Sequence, residues 1–157
     1  MKKIYNIFAD NVVKNPTKIA IATNHGNTIL YKELLELVDH SASNLLKSLD
    51  PGQSRVAIHL KNSIELVAIF IAIAKLDLVA IPIITSLRSN QVSQALLSTD
   101  ADILITSDQN YSLYMDLTRS LAAERSLKVI KLSETINFNE CSSNLNSSIT
   151  QHYCYTV

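Results

Sequence analysis

Glycine is almost missing: the 157 residues contain two, Gly26 and Gly52. A phosphate-binding loop needs several residues without Cβ, so that backbone N–H groups can close on a phosphate. Two isolated glycines cannot build one, which excludes a Walker-type or dinucleotide fingerprint within these residues. Neither sign of charge is in excess. Fourteen basic side chains face fourteen acidic ones, and the longest cationic cluster is Lys2-Lys3. A nucleic-acid binder needs a basic run or patch, so nucleic acid is excluded as a partner. Only Cys141 and Cys154 represent cysteine. They have neither metal-ligand spacing nor the density of a disulfide scaffold, which implies a reduced, cytoplasmic protein. No Gly-x-Ser-x-Gly elbow frames any serine as a nucleophile. Long apolar runs are also lacking. The stretch from Leu66 to Ile84 is split by Lys75 and Asp77 and carries Pro82, so it reads as buried core and not as a membrane span. Asn6, Asp10 and Asn11 break the segment after Met1-Lys2-Lys3 that a secretory signal would need to keep apolar.

What is present is apolar periodicity, in a chain that is 47% hydrophobic and 18% charged. Tyr5 to Asn15 reads as a helix stopped by Pro16. Lys18 to Thr23 and Thr28 to Tyr31 read as a hairpin around Asn24-His25-Gly26-Asn27. A helix follows from Lys32 to Leu49, with Leu34, Leu35, Val38, Ala42, Leu45, Leu46 and Leu49 at helical spacing. Arg55 to Leu60 alternates as a strand with Val56, Ile58 and Leu60 on one face. Asn62-Ser63 can cap a helix over Ile64 to Lys75. That helix is apolar almost all round, so it should be covered on several sides. Leu78 to Ile84 reads as a strand buried on both faces. A helix near Asn90 to Leu97, a strand Ile103 to Thr106, a helix Tyr111 to Arg125 and a strand Leu127 to Leu132 follow. Alternating strands and helices predict an α/β fold, with a mostly parallel sheet flanked by helices. Residues 1–132 form this lobe, 133–150 a Ser/Asn-rich linker, and 151–157 a last strand.

No catalytic, cofactor-binding or metal residue can be assigned from these patterns. His25 sits in the hairpin turn and His40 on the second helix. His59 is of more interest, because with Arg55 as its alternate neighbour it could face a cleft; a partly buried histidine with a local hydrogen bond is the ordinary explanation. His152 and Cys154 alternate on the last strand, but two residues do not make a structural zinc site, which takes four. Glu33 with Glu36, and Asp116 with Arg119, have the spacing of solvated helix faces. Asn62-Ser63 could offer helix N–H groups to an anion, though a plain N-cap needs no ligand.

Three stretches, in order, resemble the N-terminal part of the adenylate-forming ligases, the superfamily of acyl-CoA synthetases, nonribosomal peptide synthetase adenylation domains and luciferase. Ile29-Leu30-Tyr31-Lys32-Glu33-Leu34 is similar to its first core motif. Pro51-Gly52, Arg55-Val56-Ala57-Ile58 and Asn62-Ser63-Ile64-Glu65 resemble its "Pro-Gly-Asp-x-Val-Ala-Ile … Asn-Ser-x-Glu" segment. Lys75 through Pro82 resembles the second, with Asp77 for the usual Gly, as Ser54 replaces the usual Asp. The resemblance implies an incomplete lobe of an enzyme that uses ATP, magnesium and coenzyme A, none of them bound by this chain alone. In that family the groups holding ATP and magnesium lie further on, and His152 to Val157 resembles the strand leading to its phosphate loop. Its partner is then the remainder of the ligase, and an isolated lobe should self-associate. An acyl or fatty acid is favoured slightly over an amino acid as substrate. A stand-alone interaction or regulatory domain, and an unrelated doubly wound ligand-binding domain, are the alternatives.

Overall fold

The computed structural model describes residues 3–24, 26–121 and 127–136. Helix α1 (Ile4–Lys14) ends before Pro16 and leads into an antiparallel hairpin of β1 (Ile19–Ala22) and β2 (Thr28–Leu30). Gly26 takes the left-handed φ of 82° that this turn requires. Helix α2 (Tyr31–Ser48) starts directly from β2, and its first turn is held by Glu33, whose Oε2 accepts the Leu30 N–H at 2.8 Å. Glu33 is therefore buried as a cap and does not share a solvated face with Glu36. The buried stripe of α2 is Leu34, Leu37, Val38, Ser41, Ala42 and Leu45, whereas Leu46 is 60% exposed. The sequence had placed Leu46 on the stripe, but it lies past the stripe's edge.

Among the described residues four parallel strands form the sheet, in the order β4-β3-β5-β6: β3 (Arg55–His59), β4 (Val79–Pro82), β5 (Ile103–Thr106) and β6 (Lys128–Lys131). The connections are helices α3 (Ile64–Lys75), α4 (Ser89–Ser98) and α5 (Tyr111–Leu121). A 3₁₀ turn, Asp108–Asn110, precedes α5. Because strand side chains alternate between faces, each central strand feeds two cores. Val56, Ile58, Ile103, Ile105 and Ile130 pack with α2 and α3. Ala57, Leu104 and Val129 pack with Val92 and Leu96 of α4 and Tyr114 of α5. Burying each large aliphatic side chain contributes about 1.5–3 kcal/mol, so β5, buried at all four residues, is the heart of the domain. Helix α3 is covered by α1, α2 and the sheet, as its all-round apolar character implied.

The run Leu78 to Ile84 differs from expectation. It supplies β4, which is an edge strand of the described sheet and not one buried on both faces: Val79 is 47% and Ile84 69% exposed. Val79 and Ile83 donate their N–H groups to Ser54 and Ile58 of the β3 segment at 2.8 Å. By alternation Ala80 and Pro82 turn their backbones outward. Pro82 has no N–H to present there, which is why a proline is tolerated.

Two helix ends show how so few glycines suffice. After α3, the N–H groups of Asp77 and Leu78 bond to the Ala74 and Ile73 carbonyls at 3.4 and 3.0 Å. After α4, Asp100 and Ala101 repeat this with Leu97 and Leu96 at 3.2 and 3.1 Å. Both are Schellman ends, and Asp77 (φ 57°) and Asp100 (φ 54°) occupy the left-handed position that glycine usually takes. Asp102 then clamps the start of β3, its Oδ2 accepting the Ser54 and Arg55 N–H groups at 2.9 Å each.

Beyond β6 the chain turns into α6 (Leu132–Thr135), with Thr135 and Ile136 buried. Ile136 joins the α2–α3 core. Thr135 and Ile136 thus pack beside α2, at the start of the stretch expected as linker. The last expected strand, and the end of the helix expected to reach Arg125, lie outside the described residues.

Candidate functional site

In open parallel sheets, ligands gather outside the carboxyl ends of the strands. Register places His59 of β3 opposite Thr106 of β5, and Thr106 opposite Lys131 of β6. These three side chains form a polar row at the carboxyl edge, on the face covered by α4 and α5.

His59 is 5% exposed, and its Nδ1 lies 3.1 Å from the Tyr114 hydroxyl. The rings meet edge to face, with centroids 5.3 Å apart and planes at 79°. Burial holds the imidazole below its ordinary pKa, opposed more weakly by the nearby Ile84 backbone. Burial also raises the Tyr114 phenol. The pair is therefore neutral near pH 7. His59 Nε2 and the Oγ1 of the fully buried Thr106 have no hydrogen-bond partner among the described residues. Lys131 ends the row with Nζ 4.7 Å from the Tyr111 ring centroid and 3.9 Å from Glu134. Beside it, the Ser133 hydroxyl donates to Asp108 at 2.6 Å.

The cleft weighed for His59 with Arg55 does not form. The two residues stand at opposite ends of β3, and Arg55 donates to the Thr99 carbonyl at 2.7 Å. His59 meets its ordinary explanation, a buried histidine with a hydrogen bond, although the partner is distant in sequence. His40 bonds to Asn44 at 2.9 Å along α2. Ser63 is a plain cap, its Oγ accepting the Leu66 N–H at 3.2 Å. Asp116 and Arg119 pair at 3.1 Å on the surface, as their spacing implied. His25, Cys141, His152 and Cys154 lie outside the described residues. Thr106 and Tyr114 were not singled out in the sequence. A lone hydroxyl ending the apolar run Ile103-Leu104-Ile105 was the available signal for the first, and nothing local marked the second.

The row can donate and accept hydrogen bonds, but it lacks an exposed nucleophile or a general base open to substrate. Nor do the described residues fit ATP with magnesium. Gly26 and Gly52 stand in separate turns with open space around them, and no three His, Cys, Asp or Glu side chains gather to hold a metal. No helix among them is long and apolar enough to cross a membrane.

Comparison with known proteins bears on the same chain. The family model described as "AMP-binding enzyme" matches residues 8–153. A 2-succinylbenzoate–CoA ligase of Oceanobacillus iheyensis is 34% identical over 94 residues, which are 60% of this chain and 20% of that relative. The chain thus spans about a fifth of the length of that curated relative. Among solved structures, the NpsA N-terminal subdomain of Klebsiella oxytoca superposes with a TM-score of 0.72 at 21% identity, covering 92% of this chain and 34% of its own. The N-terminal domain of FACL13 from Mycobacterium tuberculosis gives 0.70 at 24%, covering 82% and 34%. These likenesses show the fold: a helix-flanked parallel sheet with a small hairpin.

Proposed function

We propose, because this chain belongs to the AMP-binding enzyme family, that it is the N-terminal part of an ATP-dependent ligase that makes acyl-adenylates. The complete enzyme joins a carboxylic acid to ATP with release of pyrophosphate, then passes the acyl group to a thiol such as coenzyme A. The family match across residues 8–153 carries this reading. The acid–thiol ligase among its relatives favours an acyl or fatty acid over an amino acid. Magnesium and cationic side chains would stabilise the developing charge, and on this reading those groups belong to the remainder of the ligase. A reduced, cytoplasmic setting suits a thiol acceptor.

Pyrophosphate exchange by the full-length polypeptide, with fatty, aromatic and amino acids in parallel, tests the proposal. Exchange with a carboxylic acid and thioester formation on coenzyme A are expected. Exchange confined to amino acids would move the protein to the adenylation domains, and none at all would favour a non-catalytic domain. The isolated chain should not bind Mg-ATP tighter than about 100 μM, a limit of roughly 5.5 kcal/mol; saturable calorimetric binding below that value would show a nucleotide site in this lobe.

Self-association of the isolated chain is part of the same proposal. Val79 and Ile84 leave apolar surface along β4, and exposed apolar surface of this kind is what a second copy can cover. Sedimentation across a concentration series should show dimers or larger species. A clean monomer at high concentration would favour a finished, stand-alone domain.

A further inference from the structure

His59 Nε2 and Thr106 Oγ1 are the two buried polar atoms on the α4–α5 side of the sheet that lack a partner among the described residues. They belong to residues directly opposite each other on neighbouring parallel strands, so both side chains project from the same face. Each residue is more than nine-tenths buried. Leaving two such groups unsatisfied is costly, and native interiors answer that cost with ordered water when two to four polar groups converge. A third group is at hand. The Ile84 backbone lies near enough to the ring to favour its protonated form, yet it is outside hydrogen-bond geometry with Nε2. A larger ligand has no way in, because both atoms are shielded.

We propose that His59 and Thr106 share one bound water molecule, and that this water, with the Tyr114 hydroxyl, ties α5 and the segment after β4 to the carboxyl ends of β3 and β5. Tyr114 donates to Nδ1, which puts the imidazole proton on Nε2, and Nε2–H donates to the water. The water donates to the Ile84 carbonyl and to Thr106 Oγ1. The water then adds a directional link beside those that the Tyr114–His59 and Ile83–Ile58 hydrogen bonds already make between these elements.

Nuclear magnetic resonance on the chain tests this. The nitrogen shifts of His59 should report the Nε2–H tautomer, and its ring protons should show a nuclear Overhauser contact to a long-lived water. Thr106→Ser keeps a hydroxyl and should keep that contact. Thr106→Val should lose it and lower the thermal midpoint by a few degrees. The bare alternative predicts the opposite sign, because replacing an unsatisfied buried hydroxyl by an isosteric methyl removes a penalty. A raised or unchanged midpoint in Thr106→Val overturns the proposal, as does absence of the water contact in the parent chain. If Thr106→Val does not fold, the parent and Thr106→Ser spectra decide.

Discussion

The two faces of this sheet are cut from the same strands yet differ in kind. Toward α2 and α3 they present Val56, Ile58, Ile103, Ile105 and Ile130, aliphatic from end to end. Toward α4 and α5 they present Ala57, Leu104 and Val129, then His59 and Thr106 at the carboxyl edge. Each strand thus alternates between a face that supplies apolar burial and a face that ends in hydrogen-bonding groups. Stability and polar specificity are separated here by one residue of register. A single-residue slip of β5 would bring Thr106 into the aliphatic core and turn Ile105 toward His59.

The largest effect is expected on the aliphatic face. Ile105→Ala should cost about 2–5 kcal/mol, read as a drop in urea midpoint at unchanged slope. If it cost less than a change on the other face, the division of labour between the faces would be broken. Tyr114→Phe should come next, at about 1–3 kcal/mol, because it leaves His59 Nδ1 buried without its partner. It should also retain helix α5, which hydrogen exchange would show.

The pH dependence sharpens the same contrast. The native imidazole of His59 is held below its ordinary value of about 6.5, so the unfolded chain takes up the proton first. Stability from this residue is full above the unfolded pKa and falls as pH drops from there toward the lowered native value. Among the described residues no carboxylate contributes to the shift of the ring: α4 carries no titratable side chain, α5 brings Tyr111 and Tyr114 to this side, and β6 brings Lys131, whose neighbours Glu134 and Asp108 lie toward the rim. Urea midpoints between pH 7.5 and 5 should therefore decline more steeply for the parent chain than for His59→Gln. Parallel curves would show that the ring is not buried neutral.

The smallest effect is expected where neither face is involved. Lys3 and Asp77 pair at 2.6 Å, but both are more than half exposed. Lys3→Ala should change stability by no more than about 1 kcal/mol, and salt should erase the difference.

The layout of the fold was legible in the sequence because period-2 and period-3.6 patterns are local. Every element from α1 to β6 lies close to where those patterns put it. What escaped depended on neighbours that no pattern names. Leu78 to Ile84 has the composition of a central strand, yet its position is decided by which strand pairs beside it, and in the described sheet that is β3 alone. Glu33 has the spacing of a surface carboxylate, but the absence of a linker between β2 and α2 turns it into a cap. The polar row was hidden for a similar reason. His59 and Tyr114 are 55 residues apart, and only the crossover through α3, β4, α4 and β5 brings them together.

Pro82 limits how the described sheet can be extended beside β4. With Ala80 alone offering an outward N–H on that strand, a chain approaching the β4 side finds a broken ladder, which is how natural sheets discourage unwanted partners. Any added strand that needs regular spacing would bind there for only part of its length. At the border of the described sheet β4 is therefore poorly suited to pairing by backbone alone, and what it offers a neighbour is the apolar surface of Val79 and Ile84.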